Sequence, residues 1–289
     1  MHLPLAGTPF RLTQTADQAP RRAGLDVVVA MYNAAAYIRD CIDGIIGNDS
    51  ADIRALVVDD GSTDDSAAVV EAAYAGNPRV VLLRKPNGGC ASARNFGRLY
   101  SKATHIAFVD ADDRMDGDLY PGLLELARYT GAEVVQGGFA IWQAEEPGSP
   151  LLPSYEDAQF RDWGRHALGP RGVFMVPAAD LMVGQPTIWR RVYRRDFLDT
   201  KKIWFPEHIR AFDDQIFQML TLHHAGSIPC LDGPRYHYRQ HPGQDIRAGD
   251  ERFFYSLEMF RLMLKRGLAE GWNDFRPLLR SYINTVNWI

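Results

Sequence analysis

The chain has 289 residues, 46% hydrophobic and 24% charged, the balance of a globular protein with room for one large or two modest domains. Its 32 Lys and Arg stand against 36 Asp and Glu, a net charge of −4, which excludes a basic nucleic-acid surface over the whole molecule. Cys41, Cys90 and Cys230 form no CxxC pair, so neither a disulfide framework nor a thiolate zinc site is expected and a cytoplasmic setting follows; no apolar run reaches the ~20 residues that cross a bilayer.

Residues 1–24 lack periodicity and read as a tail or linker. The run Val27-Val28-Val29-Ala30 then predicts a strand buried on both faces. Ile38, Cys41, Ile42, Ile45 and Ile46 mark one stripe of a helix. A second strand, 55–58, ends in Asp59-Asp60-Gly61-Ser62, with Ser62 and Asp65 spaced as a capping box for a helix through Tyr74. Strands over 80–83 and 105–109 enclose a helix over 91–100, and a helix over 119–129 precedes a strand at 133–135. This alternation predicts an α/β fold, a parallel sheet with helices on both faces, and ligands then bind beyond the carboxyl ends of the strands. Those ends carry Tyr32-Asn33, Asp59-Asp60 and Asp110-Ala111-Asp112-Asp113. Residues 144–172 are rich in Pro and Gly and read as a loop-rich connection. Beyond come 189–197, a helix over 213–224, a Pro/Gly-flanked segment at 229–243 and a helix from about Arg252.

Several chemistries are missing. There is no GxxxxGK[ST], no GxGxxG after the first strand and no HExxH. A calcium loop starting at Asp110 fails, because Arg114 and Met115 occupy its fifth and sixth positions. Asp110-x-Asp112 at a strand end offers two carboxylates, the oxygen ligands that hard divalent cations share with phosphates; alone, the pattern reads first as turn chemistry. Asp59-Asp60 reads either as a helix start or as a contact to ribose or base.

Four motifs occur in order: Val27-Val28-Val29-Ala30-Met31-Tyr32-Asn33-Ala34, Val57-Val58-Asp59-Asp60-Gly61-Ser62-Thr63-Asp64, Asn87-Gly88-Gly89 with Ala93-Arg94-Asn95, and Phe108-Val109-Asp110-Ala111-Asp112-Asp113. Together they resemble the family 2 glycosyltransferases. The resemblance implies a GT-A fold with a Rossmann-like, mostly parallel sheet and a smaller acceptor-binding and helical C-terminal part. It implies inverting transfer from a nucleotide sugar, usually a UDP-sugar, with Mn2+ or Mg2+, in bacterial surface polysaccharide synthesis. More loosely, Trp189-Arg190-Arg191-Val192-Tyr193-Arg194 is similar to an aromatic and basic segment before the acceptor site. Asp213-Asp214-Gln215-Ile216-Phe217, after Phe205-Pro206-Glu207, resembles the acidic pair that carries the base. Tyr236-His237-Tyr238-Arg239-Gln240-His241 resembles a segment closing over the diphosphate. Two positions depart from the family: Ala30 replaces a common Pro or Thr, and Asp213 a common Glu. The implied division is 25–145 for the nucleotide sugar, 146–245 for acceptor and base, and 246–289 as a helical extension.

The roles that follow are these. Asp60 contacts the nucleoside with Asp59 nearby, and Ala30, Met31 and Tyr32 form the wall for the base. Asn87 and Ala111 join the donor site; Arg94 and Arg239 hold phosphate or base oxygens. Asp112 ligates the metal, Asp110 contacts ribose or sugar or completes the metal shell, one of His237 and His241 is a third ligand or both touch phosphate, and Asp113 reads equally as an N-cap. Asp214, rather than Asp213, is the base that takes the acceptor proton. His223 and His224 compensate a helix dipole or face solvent. Phe253, Phe254, Leu257, Phe260, Leu264 and Leu268 form either a core stripe or, with Arg261, Lys265 and Arg266, a membrane-surface face. The expected partners are a UDP-sugar and a polysaccharide or lipid-linked glycan, with peripheral association at the inner face of the cell membrane and no nucleic acid. The ending Asn287-Trp288-Ile289 reads as one module of a longer chain. Two competitors are a sugar nucleotidyltransferase, disfavoured by Met31-Tyr32-Asn33-Ala34 where a Gly-rich basic loop belongs, and a non-catalytic sugar-nucleotide-binding module.

Overall fold

Apolar runs of five to seven residues, too short for helices and flanked by turn residues, become the central strands. The structure, a computed structural model, describes residues 11–13, 23–48, 50, 52–143, 149–165, 172–182, 184, 186–209, 211–241 and 252–288. The elements are β1 (Arg11–Thr13), β2 (Leu25–Met31), α1 (Ile38–Ile46), β3 (Ile53–Asp59), α2 (Ser66–Tyr74), β4 (Val80–Arg84), α3 (Cys90–Tyr100), β5 (His105–Asp110), β6 (Arg114–Met115) and α4 (Leu119–Thr130). They continue through β7 (Val134–Gln143), β8 (Leu151–Pro153), α5 (Asp157–Gly164), β9 (Val173–Pro177), α6 (Ala178–Leu181), a 3-10 turn (Ile188–Arg190), β10 (Arg191–Arg194), α7 (Arg195–Thr200), α8 (Asp213–Ala225), β11 (Ser227–Gln240), α9 (Arg252–Glu270) and α10 (Arg276–Trp288).

One sheet carries the fold, in the order β1-β4-β3-β2-β5-β10-β7-β11-β6. The four strands β4-β3-β2-β5 are parallel, as expected; β10 enters antiparallel between β5 and β7, and β11 returns parallel to β7. The sheet therefore runs through both the 25–145 and the 146–245 segments. Every residue of β3 is buried, so both its faces are covered. On one face α3 lies so close that a Cβ at Gly97 would come within 2.5 Å of Val28 Cγ1, which explains the glycine. At the N-terminal ends of the strands Arg54 donates to Asp26 at 2.9 and 3.0 Å, and Ser101 Oγ to the same carboxylate at 2.7 Å, all buried. Among the described residues no helix is long and apolar enough to cross a membrane.

Several local expectations are corrected. Arg11–Thr13, inside the expected tail, forms an edge strand against β4; the rest of 1–22 lies outside the described residues. The loop-rich 144–172 contains β8 and α5, with 144–148 and 166–171 outside the described residues. The capping box at Ser62 is not formed: α2 starts at Ser66, and Ser62 instead donates its N–H to Asp59 Oδ1 at 2.9 Å. The segment at 229–243 is not a loop but mostly β11, whose register shifts between Leu231 and Arg235 to absorb Gly233 and Pro234. On α9 the buried positions are Ser256, Met259, Met263 and Gly267, so the apolar stripe is not core throughout: Phe254, Leu257 and Leu268 are exposed while Phe260 and Leu264 pack. The side chain of Phe253 lies outside the described residues.

Candidate active site

Register brings the strand ends together. Ala30 pairs with Val58 and Asp110, Met31 with Asp59, and Asp59 with Arg84, so the expected donor residues share one edge of the sheet. Tyr32 stands 51% exposed beyond half-buried Ala30 and offers a flat face there. Met31 is fully buried, so it belongs to the core and not to the wall for a base. The loop after β2 is bound to the loop after β3: Asn33 donates its N–H to Ser62 Oγ and accepts the Thr63 N–H, while Ala34 N–H reaches Ser66 Oγ at 2.8 Å. Asn33 has φ 49, left-handed backbone that asparagine tolerates.

The two carboxylates of Asp59-Asp60 face inward. Asp59 accepts from Arg84 Nε at 3.1 Å. Asp60, 3% exposed, accepts the Gly89 N–H at 2.7 Å, the Gly88 N–H at 3.1 Å and Lys85 Nζ at 2.5 Å. It thus holds the Asn87-Gly88-Gly89 turn that opens α3, and Asn87 Nδ2 donates back to the Asp60 carbonyl at 2.9 Å. A direct nucleoside contact by Asp60 is therefore not the arrangement in this structure; the exposed turn it secures stands at that edge.

At the end of β5 the acids divide by role. Asp110 and Asp112 retain exposed carboxylate surface, whereas Asp113 is fully buried, accepting the Tyr236 hydroxyl and the Arg239 N–H, each at 2.7 Å. Asp113 is thus an internal clamp between β5 and β11, not an N-cap. Burial, then the charges of Asp112 and Asp110, push its carboxyl well above the ordinary value; burial and Asp110 raise Asp112 likewise. Ala111 is buried between them. Arg239, also buried, donates to the Asp112 carbonyl and to Asp40 at 3.2 Å, and lies over the rings of Tyr37 and Trp142. These bonds brace the acidic turn, so its expected place on a phosphate would require rearrangement.

The two histidines separate. His241 Nε2 lies 3.0 Å from Asp112 Oδ2, its ring 5.0 Å from that of Tyr37. His237 sits where β11 pairs with β6, between Arg114 Nε at 3.2 Å and Asp116 Oδ1 at 3.1 Å. The structure therefore removes His237 from the expected metal position and leaves His241. Burial lowers the His237 pKa, favouring its neutral form. No group of three or more His, Cys, Asp or Glu side chains among the described residues is gathered as a ready metal cage. Asp112 with His241 offers two ligands, beside Asp110, which suits a cation that takes its remaining oxygens from a bound diphosphate.

The second half of the site is set by an aromatic cluster. Phe205 stacks on Phe217 of α8 at 4.1 Å, and both meet Phe108 of β5 edge-on at 5.0 and 5.4 Å. This seats the start of α8 against the acidic strand end. Arg94, 5% exposed on α3, then spans the two: it donates to Asp110 Oδ1 at 2.7 Å and to Asp213 Oδ2 at 3.0 Å. Its Nε has no hydrogen-bond partner among the described residues, and the guanidinium lies 5.2 Å over the Phe205 ring. Asp214 is half-buried, accepts only the Gln215 N–H at 2.7 Å among described hydrogen bonds, and makes no described ion pair. Burial, then the adjacent charge of Asp213, push its carboxyl up to about 7. Phe212 just before it has φ 66, a strained backbone for an aromatic residue, of a kind that concentrates at functional sites.

Some residues do other work than expected. Trp189 stacks on Tyr236 at 4.2 Å, and Arg190 and Arg191 are 1% exposed, bound to Glu156 and to Gln136 and Gln218; this segment is interior, not acceptor surface. His223 stacks on Trp272 at 3.7 Å and His224 lies 3.3 Å from Glu270, so both pack on α9 and its following turn, with burial lowering both pKa values. Asn95, quoted in the motif without a role, was missed: it bonds the Phe205 backbone on both sides and Glu207 Oε1 at 2.9 Å. Its signal was adjacency to Arg94.

The sequence profile described as Glycosyl transferase family 2 matches residues 26–177. The chain is 28% identical over 224 residues to the uncharacterized glycosyltransferase EpsJ of Bacillus subtilis strain 168, covering 75% of this chain and 61% of that protein. It is 26% identical over 272 residues to the poly(ribitol-phosphate) beta-N-acetylglucosaminyltransferase TarS of Staphylococcus aureus strain MW2, covering 89% of this chain and 43% of that one. It thus spans less than two thirds of either relative's length. The crystal structure of S. aureus TarS residues 1–349 superposes with a TM-score of 0.66 at 20% identity, covering 90% of this chain and 71% of that one, so the fold is of the GT-A type. The same protein in complex with UDP-GlcNAc superposes with a TM-score of 0.66 at 21% identity, covering 83% of this chain and 65% of that one. Because the profile covers more than half of the chain, on the same sheet whose edge collects these carboxylates, the protein belongs to glycosyl transferase family 2.

Proposed function

We propose that the chain is a metal-dependent inverting glycosyltransferase that moves a sugar from a nucleoside diphosphate sugar, a UDP-sugar first among them, to a hydroxyl of a polysaccharide or lipid-linked glycan, working at the inner face of the cell membrane. One observation carries this reading: a single guanidinium, Arg94, joins the acidic strand end at Asp110 to the acidic helix start at Asp213, beside Asp214, which makes no ion pair among the described residues. The TarS crystal structures with UDP-GlcNAc and UDP support the choice of donor.

Arg94 neutralises Asp213 and leaves Asp214 as the carboxylate able to take the acceptor hydroxyl's proton while the sugar leaves on the opposite face. A half-buried carboxyl near 7 is matched to that task at neutral pH. Tyr32 and the turn held by Asp60 form the nucleoside end. Asp112 and His241, with Asp110, would hold Mn2+ or Mg2+, which when bound neutralises charge on the leaving diphosphate. A panel of UDP-sugars tests the reading: UDP should appear with one or more donors when Mn2+ or Mg2+ is supplied. Release of pyrophosphate instead would favour the nucleotidyltransferase reading, and no turnover of any donor alongside tight UDP-sugar binding the non-catalytic one.

A further inference from the structure

A groove of about 1190 Å³ lies between α3, residues 200–208, α8 and α9. It follows the stripe of α8 marked by Ile216, Leu220 and His224, a face of the helix different from that of Asp214. Its lining is largely hydrocarbon, from Leu99, Phe205, Ile216, Leu220, Leu262 and Met263.

The end of the groove by His224 has a different chemistry. Lys201, Lys202, Lys265 and Arg266 border it, against Glu207 and Glu270. Both carboxylates already have donors: Asn95 for Glu207, Arg266 and Trp272 for Glu270. Lys201, Lys202 and Lys265 are exposed, and none makes an ion pair recorded among the described residues. Arg266 also donates to the carbonyls of Lys201 and Lys202, fixing that corner against α9. Lys202 follows α7 with φ 51, a place glycine fills at lower cost. The groove therefore pairs a hydrocarbon wall with a cluster of positive charge at its His224 end, where the three lysines make no ion pair among the described residues.

We propose that this groove binds a lipid phosphate, its chain along the apolar wall and its phosphate on the three lysines. The probe is dodecyl phosphate below its micelle concentration, titrated into the full chain and followed by Trp204 fluorescence, with Trp204→Phe showing that the signal arises in the groove. Saturable binding is expected, at least ten-fold weaker in the triple variant Lys201→Glu/Lys202→Glu/Lys265→Glu, whose side chains are exposed. Ala269→Trp, at the exposed rim, should block binding with the charges intact. Inorganic phosphate and dodecyl maltoside should each fail to compete. Undiminished binding in the triple variant, competition by either control, or binding of anionic vesicles but not of dodecyl phosphate would overturn the proposal. UDP titrated into the same samples separates the two claims: UDP bound without dodecyl phosphate overturns the groove assignment alone, whereas dodecyl phosphate bound without UDP overturns the donor reading.

Discussion

Asp214→Asn tests the assignment of the base through stability as well as rate. The wild-type carboxyl moves from an ordinary 3.8 to about 7, because burial and Asp213 both oppose its charge. A carboxyl with a raised folded-state pKa stabilises the fold in its protonated form. That contribution is complete below about pH 4 and is lost as pH rises through about 7. At about 1.4 kcal/mol per pH unit the ceiling is about 4 kcal/mol, and partial solvent access at this half-buried site reduces it to about 2–3 kcal/mol. Asparagine mimics the protonated acid at every pH. The variant should therefore melt about 4–8 °C higher than wild type at pH 8, with the difference vanishing near pH 4. Transfer should fall by about 10²–10⁴ at the same time, since the amide cannot take a proton. Wild-type kcat should rise with pH and level off above about 7. The assays are calorimetric melting of both proteins from pH 4 to 8 and initial rates of UDP release. Equal melting at pH 8, or near wild-type transfer by the variant, would refute the reasoning; loss of transfer in Asp213→Asn alone would move the base to Asp213.

Other outcomes follow from the same geometry. Chelation should abolish transfer and added Mn2+ or Mg2+ restore it, while Asp112→Ala stays folded and inactive because its carboxylate lies at an exposed strand end; full activity in excess chelator would contradict this. Asp60→Ala frees the Gly88-Gly89 turn and should cost about 1–2 kcal/mol of stability. It should also shrink the UDP-induced melting shift, which at 100 times Kd corresponds to about 2.7 kcal/mol in wild type; an undiminished shift would show that the turn does not serve the nucleotide. Asp26→Ala leaves buried Arg54 and Ser101 without their acceptor and should cost about 3–5 kcal/mol in denaturant unfolding. Its UDP affinity should match wild type, since the pair lies at the other end of the strands.

What could be read from residues alone was whatever leaves a local mark. Val27-Val28-Val29 and Leu56-Val57-Val58 are strands buried on both faces, where the apolar run itself is the signal. The start of α8 was legible because Asp213-Asp214 precedes Ile216, Phe217 and Leu220 at helical spacing, all buried. Long-range pairing left no such mark. His237 and His241 lie four apart near the end of one strand, and only the β6 pairing separates them, giving His237 to Arg114 and Asp116. Asp60 reads as a ligand residue in sequence, and its partners at Gly88 and Gly89 are 28 and 29 residues away. Pro229, Gly233 and Pro234 look like strand breakers, yet β11 carries them at its irregular register. On α9 the buried face is set by small and flexible residues, Ser256, Met259 and Met263, which a search for large apolar side chains passes over.

The central claim is displacement at the anomeric carbon with a nucleoside diphosphate as leaving group. Proton NMR of a UDP-sugar turned over in the first minutes, before mutarotation, reads both products at once. The wild type should form UDP and a sugar of inverted anomeric configuration, and Asp214→Asn should form neither. A sugar of retained configuration, or pyrophosphate in place of UDP, would contradict it.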